Sequence, residues 1–140
     1  VELYFNNVRK LRTTNTGINV EGEVVATTLD ISGNIQFSDG YLFANSVTSS
    51  STTTTVASVS SSTYTAVFFD YSIKNGTNVR AGTVVATHDG TNVEFNETST
   101  VDLGDTSDVT LSVDLVSSNL SLKATTTSSS WTVKSLVRAI

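Results

Sequence analysis

The sequence predicts an all-β chain: a short N-terminal ribbon of strands, then an antiparallel β-sandwich or jelly-roll-like domain. Three observations carry that expectation. Thr and Val dominate, with 24 Thr and 19 Val alongside 21 Ser in 140 residues, and β-branched side chains suit a pleated sheet better than a helix. Good helix formers are scarce, at eight Ala, five Glu, four Lys and one Gln, and no window repeats apolar residues with helical spacing. Stretches of alternating polarity are instead separated by turn pairs such as Asn-Gly and Asp-Gly.

The N-terminal segments are short. VELYF, a turn at Asn6-Asn7, VRKLRTT, a turn at Asn15-Thr16-Gly17, INVEGEVVATTLDIS, a turn at Gly33-Asn34 and IQFSDG follow one another to Gly40. Their inward sets would be Leu3 and Phe5, Val8, Ile18 and Val20, and Ile35 and Phe37. Such sets bury little in one copy, and an isolated hairpin is marginal in water. Several copies round an axis could bury them against one another; adding strands to the sandwich is the alternative. The division is expected near Val47, giving a ribbon over 1–46 and a sandwich over 47–140.

The sandwich begins with Thr52–Ser60. A three-strand meander follows: Thr63–Lys74, the pair Asn75-Gly76, Thr77–His88, the pair Asp89-Gly90, and Thr91–Thr98. Both pairs suit the two positive-φ positions of a type I′ hairpin turn. In Asp108–Val116, Val109, Leu111, Val113 and Leu115 share one face. A turn at Ser117-Ser118-Asn119 leads to Leu120–Thr126, and Trp131–Ile140 closes the chain with Trp131, Val133 and Val137 as its inward candidates. The runs Thr48–Thr55, Ser60–Thr63 and Thr125–Ser130 read as exposed loops and strand edges rich in hydroxyls, since the proline of mucin-like stalks is absent.

Composition narrows the chemistry. Without cysteine there is no disulfide or thiolate metal site, and one histidine, His88, makes no multi-histidine site. A net charge of −5 with scattered Lys and Arg argues against nucleic acid as a partner. No apolar run is long enough for membrane insertion as a helix. Asp102, Asp105 and Asp108 stand three apart around Gly104; they read as a polar loop, with structural Ca²⁺ as the alternative, lacking EF-hand spacing and a closing glutamate. His88-Asp89 reads as a strand end and turn. No G-x-S-x-G elbow is present. Glu94, Glu97 and Asp114 are the candidates for a glycosidase carboxylate pair, whose geometry only the fold can supply. Trp131, Tyr4, Tyr41, Tyr64 and Tyr71 could stack on sugars if exposed, although Trp131 and Tyr71 lie in strands that suit a core. No catalytic residue or cofactor is expected. Asn75, Asn96 and Asn119 head N-glycosylation strings that chance explains at this composition.

The opening, with Glu2-Leu3-Tyr4, Lys10-Leu11-Arg12-Thr13-Thr14, Thr16-Gly17-Ile18, Val20 and Gly22, resembles a segment of tail fibres and other appendage proteins of tailed bacteriophages, especially marine ones. The stretches Asp70–Asn78 and His88–Thr91 are similar to the β-sandwich that often ends such proteins. The resemblance implies a virion structural protein: a homotrimeric fibre with a short intertwined shaft and a head that meets host-surface glycan or an outer-membrane component. Its contacts are expected from loops at the tip of the sandwich, since loops carry binding. With Val1 in place of Met, it also implies upstream sequence that joins other virion proteins. Capsid decoration or a head fibre is the alternative, followed by a monomeric bacterial adhesin domain and a polysaccharide depolymerase.

Overall fold

The computed structural model describes all residues from Val1 to Ile140, and every regular element is a β-strand. The chain divides into two compact units, Val1–Ile31 and Ser32–Ile140.

The first unit is an antiparallel meander of β1 (Glu2–Phe5), β2 (Val8–Thr13) and β3 (Ile18–Val20). Asn6 and Asn7 form its first turn with φ of 51° and 60°, the paired left-handed geometry of type I′ that asparagine tolerates. Between Leu3↔Leu11 and Tyr4↔Arg9 the register slips by one residue, leaving Lys10 as a bulge. The bulge has a consequence for side-chain direction. It brings Val8 and Leu11 to the same face, where they join Leu3, Phe5, Ile18 and Val20. The opposite face holds Glu2, Tyr4, Arg9 and Arg12, and Arg9 bridges Glu21 at 2.6 Å and Glu2 at 3.4 Å. Of the expected inward sets, Leu3, Phe5, Val8, Ile18 and Val20 thus share a face, and no part of the three-stranded unit itself covers it: Phe5 is 68% exposed and Ile18 66%.

The second unit is a sandwich. Its larger sheet has the order β4 (Ile35–Gln36), β5 (Tyr41–Ser50), β12 (Ser130–Ala139), β7 (Ala66–Asn75), β8 (Asn78–His88), β9 (Val93–Ser99). The smaller sheet is β10 (Val109–Val116), β11 (Asn119–Thr126), β6 (Thr53–Ser60). All pairings are antiparallel. Period-two alternation sends Val67, Phe69, Tyr71 and Ile73 of β7 and Trp131, Val133 and Val137 of β12 into a core shared with Leu111, Val113, Leu120 and Leu122 of the smaller sheet. On β6 a bulge at Val56 lets Val56 and its neighbour Ala57 both be buried.

Several expectations shift. The boundary at 46/47 falls inside β5, whose ten residues pair with β12; Ile35 and Gln36 likewise belong to the sandwich, while Phe37 lies beyond the strand and exposed. Of Ile18–Ser32 only Ile18–Val20 is strand, paired with Leu11–Thr13 of β2. The run Thr48–Thr55 is the hairpin that carries the chain from one sheet to the other, with Ser51 at φ 51° and Ser49 fully buried. The hairpin turns also differ. Gly76-Thr77 is the β7–β8 loop, and positive φ at Gly76 alone gives the type II′ pattern, while Asp89–Asn92 is a four-residue loop closed by the Asp89 carboxylate on Thr91 and Asn92 amides at 2.8 and 2.7 Å. The sandwich's I′ pair is Ser117-Ser118, at φ 51° and 60°.

Adjacent residues on β7 test the alternation. Phe69 is fully buried, whereas Phe68 points outward beneath the Arg138 guanidinium, 4.9 Å from its ring centre. Phe69→Ala is expected to cost about 3–5 kcal/mol in urea unfolding, and Phe68→Ala under about 1 kcal/mol. Equal costs would contradict the assignment of faces.

Candidate functional site

The three aspartates do not converge, and no group of three His, Asp or Glu side chains is placed to hold a metal ion. Each instead serves its own loop. Asp102 accepts from the hydroxyl of buried Thr106, and Asp105 caps the Ser107 amide at 2.9 Å. Asp108 accepts from the amides of Thr127, Ser128 and Ser129 at 3.0, 3.1 and 3.1 Å and from Trp131 Nε1 at 2.8 Å. The Thr127 hydroxyl, then the Trp131 indole, hold its carboxyl well below the usual carboxylate range. This carboxylate fastens the β11–β12 loop and orients the largest core side chain.

The other carboxylates also stay apart. Glu94 projects from the outer face of β9 and Asp114 from the exposed face of β10, whereas Glu97 lies on the inner face, accepting from Tyr71 Oη and standing 3.5 Å from Arg80. Burial, reinforced by Glu97, pushes the Tyr71 phenol up to about 12. Arg80 also donates to Thr106 Oγ1 and the Val109 carbonyl, both at 3.2 Å, so this cluster ties β8 to the connection before β10. His88 is engaged at both ring nitrogens, with Nδ1 accepting from the Gly90 amide at 3.0 Å and Nε2 2.9 Å from the Tyr64 carbonyl. Asp89 faces its own turn and is held down to about 2 by the Asn92 amide, then the Asn92 side chain and the Thr91 amide. Among the aromatics, Trp131 and Tyr71 are core, and Tyr41 and Tyr64 stack on each other 5.8 Å apart, half-buried. Tyr4 is exposed on the charged face of the first unit.

A hollow of ≈ 300 Å³ lies at Thr87, His88, Asp89, Asn92 and Glu94, but a larger one lies elsewhere on the sandwich. A trough of ≈ 1080 Å³ crosses the outer face of the larger sheet at right angles to its strands, touching β5, β12, β7, β8 and the end of β9. Strand register explains its form. One wall is the cross-strand row Ser46, Lys134, Ser72, Ala81, with Thr100 beyond β9; the other is Ala44, Leu136, Asp70, Thr83, Thr98. Between them the floor is the backbone of Asn45, Ser135, Tyr71, Gly82 and Ser99, whose side chains turn the other way. Five strands give it a length of about 19 Å. Gly82 is required there, because a Cβ would run into the Thr98 carbonyl and approach Tyr71 Oη at 2.9 Å. Asp70 is occupied, accepting from Thr83 Oγ1 at 2.7 Å and pairing with Arg138 at 3.2 Å. Lys134, Ser46 and Ser72 have no side-chain partner. Sequence reading missed these residues. Their outward positions were legible in the alternation of WTVKSLVRAI and DYSIK, but which residues meet across strands was not.

No protein-family model and no curated protein matches the chain. Among solved structures, the tailspike protein of Acinetobacter phage vB_ApiP_P1 is similar with a TM-score of 0.39 at 18% identity, over 89% of this chain and 26% of that one. The chain thus spans about a quarter of that tailspike's length.

Asp108 has a folded pKa below its unfolded one, so its contribution is present above the unfolded carboxylate range and lost as pH falls through the folded value. Asp108→Asn is expected to lower the thermal midpoint at neutral pH, with the gap to the parent closing as pH drops below about 4. A gap unchanged down to about pH 2 would show that the charge is not what the loop uses.

Proposed function

We propose that the chain is a non-enzymatic structural protein of a bacteriophage virion, the C-terminal part of a trimeric tail fibre or spike whose sandwich recognises host-surface glycan. The observation that carries the reading is the uncovered apolar face of Leu3, Phe5, Val8, Leu11, Ile18 and Val20, on the segment whose motifs resemble fibre proteins. A three-stranded sheet with one apolar and one charged face has no interior of its own. Three copies facing inward form a closed prism, which satisfies every face by one rotation. These side chains are already about half covered, so burying the rest is worth roughly 5–9 kcal/mol per chain, the same order as the cost of association. The second unit then stands three times on one stem, so shallow contacts with a repetitive surface gain effective concentration.

The reading is tested by light scattering on a sizing column. The parent chain is expected at three times 14.8 kDa. Phe5→Asp with Val20→Asp is expected to give the single-chain mass while the sandwich keeps its unfolding transition. A parent that elutes as one chain at micromolar concentration would overturn the trimer.

A further inference from the structure

We propose that the transverse trough is the glycan-binding site, and that it takes an extended oligosaccharide segment carrying an acidic substituent, a carboxylate or sulfate, beside Lys134. This rests on the recognition reading above and adds the place and the chemical class. The contact falls on a sheet face, away from the loops where the sequence placed it.

Shape comes first. The trough is long, open and shallow-walled, and its floor is ladder-bonded backbone, so it offers a fixed surface to a chain laid across the strands. The walls are amphipathic in the manner of a pyranose. Ala44, Leu136 and Ala81 offer apolar contact for C–H faces, while Ser46, Ser72, Thr98 and Thr100 present hydroxyls that can both donate and accept. Charge then selects within saccharides. Lys134 sits in one row between Ser46 and Ser72, through the pairs Lys134↔Ser46 and Lys134↔Ser72, and makes no ion pair. The carboxylate on the other wall, Asp70, is already neutralised by Arg138. A ligand covering Lys134 strips water from an uncompensated ammonium, a cost that an anionic group offsets and a neutral hydroxyl does so only in part. The overall charge of −5 does not oppose this at contact range, since charges beyond about 8 Å are screened at physiological ionic strength.

The test uses the full chain on an array of immobilised oligosaccharides, some bearing carboxylate or sulfate and others neutral. Lys134→Gln, Ala81→Tyr to fill the trough, and Lys123→Gln on the other sheet are compared, with thermal unfolding to confirm that each folds. Binding is expected only to acidic members, about tenfold weaker in Lys134→Gln, lost in Ala81→Tyr and unchanged in Lys123→Gln. Binding confined to neutral members would overturn the acidic class. Acidic binding untouched by Lys134→Gln and Ala81→Tyr would overturn the trough while leaving glycan recognition standing. A folded trimer that binds no saccharide on the array would remove glycan recognition, and the trough with it.

Discussion

The pairing of β12 with β5 on one side and β7 on the other is the constraint on which the sandwich depends. Ten residues of β12 are matched to β5 and eight to β7, so its register fixes the centre of the larger sheet. Strict alternation then gives one strand two tasks. Trp131, Val133 and Val137 fill the core, while Lys134 and Leu136 stand on opposite walls of the trough. A slip by one residue would exchange the two sets. Asp108, just ahead of β10 in the smaller sheet, guards against this by holding the Trp131 indole and the loop that feeds β12.

A chain with 38% hydrophobic residues closes a core because its hydroxyls are used as internal fasteners. Buried Ser49 donates to the Thr52 carbonyl at 3.0 Å, receives Thr54 Oγ1 at 3.1 Å and lies 3.3 Å from Thr126 Oγ1, at the corner where the chain changes sheets. Cross-strand hydroxyl pairs recur between β6 and β11, at Ser58 with Ser121 and Thr53 with Thr125, each at 2.8 Å. Ser135 is the exception, a buried hydroxyl without a partner. It belongs to the row Asn45, Ser135, Tyr71, Gly82, Ser99 that forms the trough floor.

Much of the fold was legible in the sequence because period two is a local signal. The strands of the β7–β9 meander, the Val109–Leu115 face and the inward Trp131 needed only alternation and turn residues. What was not legible depends on pairing at a distance. The expected division at Val47 cut through β5 because its inward residues, Phe43, Val47 and Ser49, are a weak apolar set; their partner β12 lies some eighty residues later. The turn types were misread because Asn75-Gly76 and Asp89-Gly90 suit a two-residue I′ loop, yet register placed Asn75 in the strand and lengthened the second loop to four residues. The aspartate trio was visible as a spacing, but the donors that occupy Asp108 come from residues 127–131. The trough was invisible for the same reason: it is made of five strands meeting, with no motif in any one of them.

Amide hydrogen exchange, followed residue by residue, tests the central place of β12 most directly. The amides of Val133, Ser135 and Val137 are expected to exchange only through global unfolding, with protection equal to the full unfolding free energy, while the edge strand β9 opens earlier. Exchange of β12 as fast as that of β9 would mean that the sheet is not organised around this strand, and the account of both core and trough would fall.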